Sequence, residues 1–117
     1  MKPLGIHHVA LNVPDVDEAI AFYTKRLGLT VRTDRPTDLG VVGAWLDAVG
    51  QQVHFVQAAA PASAGQHFAV QVGDLDAAIA ELRDAGVEVT DAFAVGSDRQ
   101  AFLNDPAGNT IELHEVG

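Results

Sequence analysis

Apolar residues recur along this chain with two alternating periods, and the whole sequence of periods occurs twice. Ile6 to Val13 alternates with a period of two, as a half-buried strand does. Asp15 follows as a helix N-cap, with Glu18 three residues on to complete a capping box. Val16, Ala19, Ile20, Tyr23 and Leu27 then fall on one face of a helix, and Gly28 is placed to end it. Leu29 to Arg32, Val41 to Leu46 and Gln52 to Gln57 are further strands, separated by the turn signals Asp38-Leu39-Gly40 and Val49-Gly50. The second half repeats the order. Gln66 to Val72 is a strand, and Asp74 caps a helix that carries Leu75, Ala78, Ile79 and Leu82 and ends at Gly86. Val87 to Thr90, Arg99 to Leu103 and Thr110 to Glu115 are the strands that follow.

The two halves also align residue by residue. The run from His8 to Asp15 matches His67 to Asp74, and Asp47 to His54 matches Asp105 to Glu112. Between the halves lies a stretch of small and turn-forming residues, Ala58 to Gly65. This predicts an α+β fold of two repeated modules: residues 1–57, a linker at 58–65, and residues 66–117. Each module reads strand, helix and three strands, and two copies are too few for a solenoid.

Strand alternation decides where the polar residues point. Val9, Leu11 and Val13 share one face of the first strand, and His8, Ala10 and Asn12 share the other. By the same parity His54 opposes Val53 and Phe55, His67 opposes Phe68 and Val70, and Glu112 and His114 oppose Ile111 and Leu113. The apolar sets must pack under the helices. His8, His54, His67 and Glu112 therefore lie on the face away from the helices, where three imidazoles and a carboxylate are candidates to hold one divalent cation. His7 falls on the apolar side and is expected to be packed or capped there. His114 either orients Glu112, contacts substrate as part of the pocket, or sits at the rim of the site. Trp45 and Phe102 are candidate pocket walls, Phe55 and Tyr23 core residues, and Asp105 and Gly108 the makings of a tight turn.

Composition narrows the chemistry. The chain has 117 residues, 48% of them hydrophobic, enough for a core. Sixteen acidic residues against seven basic ones give a net charge of −9, which argues against nucleic acid or an anionic membrane as partner. With no cysteine, any metal must be held by imidazole and carboxylate, a donor set suited to Fe, Mn, Co, Ni or Zn. No signal-like or membrane-spanning apolar run is present, so a cytoplasmic location is expected.

The motifs that carry a family likeness are His8-Val9-Ala10-Leu11 leading to Asp15 and Ala21-Phe22-Tyr23, then Leu27-Gly28-Leu29, then Asp105 to Leu113. In these the chain resembles the vicinal oxygen chelate superfamily: glyoxalase I, extradiol dioxygenases, fosfomycin-resistance transferases, methylmalonyl-CoA epimerases and metal-free bleomycin-resistance proteins. The resemblance implies two βαβββ modules forming a curved mixed sheet around a concave cavity, with helices outside. It also implies a homodimer and one divalent metal held by His8, His54, His67 and Glu112. A small-molecule substrate would chelate that metal through oxygen.

The subfamilies differ at these positions. Glyoxalase I resembles a His, Glu, His, Glu set, where this chain has His54 second. Fosfomycin-resistance enzymes carry Thr where Ala10 stands and Tyr where Phe102 stands. Extradiol dioxygenases use a triad matching His8, His67 and Glu112. The expectation is a metal-dependent enzyme of glyoxalase-like isomerase or lyase chemistry, with Glu112 as ligand and general base and Arg99 as a partner for a substrate carboxylate. The alternatives are an extradiol-type dioxygenase and a metal-free binding protein of the bleomycin-resistance kind.

Overall fold

The computed structural model describes all residues from Met1 to Gly117. The chain divides into two compact units, Met1–Pro61 and Ala62–Gly117, at a point inside the small-residue stretch at 58–65.

The first unit contains β1 (His8–Val13), α1 (Val16–Lys25), β2 (Thr30–Val31), β3 (Gly43–Ala48) and β4 (Gln51–Gln57). The strand order is β1-β4-β3-β2, with β1 parallel to β4 and the other pairs antiparallel. Asp15 caps α1 by accepting the Glu18 backbone N–H at 3.0 Å. Gly28 supplies the left-handed turn after the helix, at φ 73°. Val16, Ala19 and Tyr23 on α1 are buried with Val13, Ala44, Leu46, Val53 and Phe55 from the sheet. This is the apolar parity set, and it forms the core of the unit.

The second unit repeats the pattern with β5 (Phe68–Gln71), α2 (Leu75–Asp84), β6 (Phe93–Val95), β7 (Asp98–Asn104) and β8 (Thr110–Glu115), in the order β5-β8-β7-β6. Asp74 caps α2 through the Ala77 N–H at 2.9 Å. Leu75, Ile79 and Leu82 are buried with Ala101, Leu103, Ile111 and Leu113. Each module thus carries its own mixed sheet, with one face under a helix and the other turned away from it.

Two local expectations fail. The strand predicted at Val87 to Thr90 is reduced to one bridge, Val89 to Leu103, and the named strand begins at Phe93. Its apolar residues Phe93 and Val95 are exposed, so it is an edge strand without the burial alternation that marks a strand in sequence. His7 is not packed under the helix. It precedes β1, is exposed, and has Nδ1 2.9 Å from Nδ1 of His8.

Candidate functional site

In the first unit, backbone register places Ala10, His54 and Trp45 side by side across three strands, all on the face away from α1. His8 lies on that face one position diagonally away, opposite Gln52. The rings form a column. Trp45 stacks on His54 with centroids 4.7 Å apart, and His54 stacks on His8 at 3.9 Å and 12°. His54 Nε2 donates to Gln52 Oε1 at 2.8 Å, which leaves the lone pair on Nδ1. Burial, followed by the nearby His8, His7, Arg32 and Arg35 charges, holds His54 below the ordinary histidine range. It is therefore a neutral imidazole at neutral pH.

In the second unit, Phe102 and Glu112 are register partners on β7 and β8, and Ala69 on β5 is the next neighbour. His67 immediately precedes β5. Its Nδ1 lies 2.9 Å from the Gly65 carbonyl, which can only accept, so that nitrogen bears the proton. The opposite nitrogen, Nε2, is 3.5 Å from Glu112 Oε1. Glu112 is 7% exposed and one of the chain's two buried charged residues. Its other oxygen, Oε2, is bonded to His114 Nδ1 at 2.9 Å, and His114 Nε2 meets Asp98 Oδ2 at 2.8 Å. Hydrogen bonds to Asp98 and then to Glu112 raise His114 above the ordinary histidine range, because two carboxylates favour the doubly protonated ring. Asp98 is lowered by the Gly117 backbone N–H and then by His114. Phe102 meets the His67 ring edge-on at 5.2 Å and stacks with the exposed Phe93 at 6.0 Å. Phe102 also lines an open recess of about 320 Å³ with Glu88, Val89, Thr90, Leu103 and Asn104.

The structure thus brings the candidate ligands together in pairs, His8 with His54 and His67 with Glu112, and adds His114 to the second pair. Within neither unit do three His, Asp or Glu side chains gather in a geometry that could hold a metal ion. Arg99 is not part of this face. It is the register partner of Glu115, on the helix side, and its guanidinium binds Asp76 at 2.7 Å and Glu115 at 3.4 Å. Parity already separated Arg99 from Phe102. Asp98, Gln52 and the Gly65 carbonyl escaped the sequence reading. Asp98 was within its reach, since it shares parity with Gln100 and Phe102 and so faces His114.

The donor sets can be tested against a divalent ion. Two donors about 2.1 Å from one ion lie roughly 3.0–3.4 Å apart. The 3.5 Å between His67 Nε2 and Glu112 Oε1 lies just above that spacing, and Nδ1 rather than Nε2 is the nitrogen taken up by the Gly65 carbonyl. His8 and His54 are the right donor types, but nearly parallel stacked rings cannot both point an in-plane lone pair at one ion. One ring must turn, and His8 is the exposed one, whereas His54 is held by Trp45 and Gln52.

A repeated strand–helix–three-strand unit, turning imidazoles and a carboxylate to the helix-free face of its sheet, defines a class of small α+β proteins with polar sites on a sheet. The chain belongs to the Glyoxalase/Bleomycin resistance protein/Dioxygenase superfamily, whose family model matches residues 5–113. A solved structure of a glyoxalase family protein from Bacillus anthracis superposes with a TM-score of 0.88 at 30% identity, covering 100% of this chain and 98% of the other. The uncharacterized protein YwkD of Bacillus subtilis is 32% identical over 95% of this chain and 96% of its own length. A 2-epi-5-epi-valiolone epimerase from an Actinomyces species is 29% identical over 94% of this chain and 78% of its own.

Proposed function

We propose that this protein is a divalent-metal-dependent enzyme that isomerises or cleaves a small oxygen-bearing organic molecule. His67 and Glu112 would supply two of the metal's ligands, and His8 and His54 are the candidates for the others. The observation that carries this reading is the His67–Glu112 pair. His67 Nδ1 is taken up by the Gly65 carbonyl, so Nε2 is the nitrogen turned to Glu112 Oε1, at 3.5 Å, a spacing close to that of two ligands of one cation. Bound there, the metal supplies Lewis-acid polarisation of a substrate oxygen. The protein's own residues do the rest. Gly65 fixes the tautomer of His67, and burial beside Trp45 keeps His54 uncharged. His114 occupies one oxygen of Glu112, leaving Oε1 either to bind or to take a proton, but not both at once. Phe102 offers an apolar wall beside the pair. Similarity to a protein named as an epimerase supports isomerisation over oxidation. The active form is a homodimer in this proposal.

The stacked column of Trp45, His54 and His8 favours one competing reading, a metal-free protein that binds a flat ligand against aromatic rings. Metal analysis by mass spectrometry of protein purified without chelator or His tag separates the two. The metal reading expects near-stoichiometric transition metal that is lost in a His8→Ala/Glu112→Ala double variant. Less than about a tenth of an equivalent, unchanged in the variant and not restored by added metal, overturns it.

A further inference from the structure

We propose that Asp98 and His114 are positioning residues that hold Glu112 so that only its Oε1 faces a bound cation. The inference rests on the metal reading above and extends it to residues outside the ligand set. Three carboxylate and imidazole groups run in line across β7 and β8. Glu112 Oε2 meets His114 Nδ1 at 2.9 Å, His114 Nε2 meets Asp98 Oδ2 at 2.8 Å, and Asp98 Oδ1 accepts the Gly117 backbone N–H at 2.9 Å. An imidazole bonded at both nitrogens cannot turn without breaking one bond, and Asp98 is itself tied to the backbone. Glu112 is buried on the neighbouring strand, so its side chain has little room to turn. The carboxylate is therefore fixed at one oxygen and presents the other, Oε1, towards His67 Nε2. A carboxylate free of His114 could offer both oxygens to one ion and fill a position that substrate would otherwise take. The chain of contacts thus keeps coordination sites open for a substrate that chelates. Outer partners of this kind orient ligands and tune metal affinity.

Co²⁺ added to the metal-stripped full-length protein tests this, because its visible spectrum reports coordination number and its titration reports affinity. The variants are His114→Phe, which removes both bonds, His114→Gln, which keeps one donor towards Glu112, and Asp98→Asn, which keeps shape but weakens the anchor. His114→Phe is expected to weaken Co²⁺ binding about 10–100-fold and to lower the visible absorption per metal as coordination rises. His114→Gln should recover part of both, and Asp98→Asn should fall between wild type and His114→Phe. Thermal melting of the metal-free forms checks that each variant folds, and Asp98→Asn carries the test alone if His114→Phe does not. Affinity within twofold of wild type, with an unchanged spectrum, in every folded variant overturns the positioning role and leaves the metal reading standing. Failure of the wild type to bind Co²⁺ overturns both.

Discussion

Asp105 and Glu112 are the two buried carboxylates, and they are buried for different ends. Asp105 is satisfied within its own turn. Its Oδ1 accepts the Ala107 and Asn109 backbone N–H groups at 2.9 Å each, and its Oδ2 accepts Asn109 Nδ2 at 2.9 Å. Glu112 instead faces two imidazoles whose partners lie on other elements. Asp105→Ala should therefore be a stability variant. Stranding buried donors costs about 1–3 kcal/mol, read as a lower urea midpoint at unchanged slope. Any metal affinity should stay as it was. Glu112→Gln should do the reverse, weakening metal binding while the folded baseline of the circular dichroism spectrum persists. An unmoved urea midpoint in Asp105→Ala would show that the turn does not depend on that carboxylate. The faces of the candidate residues were legible because strand parity is a strict rule. It sorted His8, His54, His67 and Glu112 onto one kind of face and Phe55 and Val53 onto the other. It could not say that His54 would stack between Trp45 and His8, because ring orientation depends on packing and on Gln52, not on sequence spacing.

At the scale of elements, the caps and turns were the clearest signals, since their chemistry is local. Asp15 and Asp74 cap as their spacing predicts, and Ala substitution at either should cost about 0.5–2 kcal/mol. The β3–β4 hairpin shows the opposite case. Its two-residue loop is Val49-Gly50, with φ of 49° and 95°, both in the region that favours glycine or asparagine. Val49 is fully exposed, so its branched side chain contributes no packing to offset that conformation. Val49→Asn should stabilise the protein by about 1 kcal/mol, measured as a higher melting temperature. A lower melting temperature would mean that the turn changes type on substitution. β6 was not legible for a related reason. Edge strands need not bury alternate residues, so Phe93 and Val95 carried no parity signal, while Val87 to Thr90 had the composition of a strand and formed only a bridge.

At the scale of the whole molecule, charge sets how stability should respond to pH. The net charge is −9, yet several carboxylates are held in place by cations or backbone N–H groups. Arg32 lowers Asp34, Arg99 lowers Asp76, and the Gly117 N–H followed by His114 lowers Asp98, each from an ordinary value of 3.8. A carboxyl whose folded pKa is depressed adds stability above its unfolded pKa and loses it as pH falls through the folded value. The melting temperature should therefore decline once pH drops below about 4. Near neutrality the two shifted histidines act in opposite directions. His54 is lowered, so the folded state resists its protonation and stability declines as pH falls below 6.5. His114 is raised, so its contribution is complete below 6.5 and is lost as pH rises through its folded value. The two slopes oppose each other, and removing one should expose the other. In the metal-free protein, His54→Gln should shift the pH of greatest thermal stability downward, because the group that disfavours protonation is gone while His114 still favours it. Melting curves across pH 5 to 9 in one buffer series decide this, and an optimum that stays put or moves upward would show that other groups govern the neutral range.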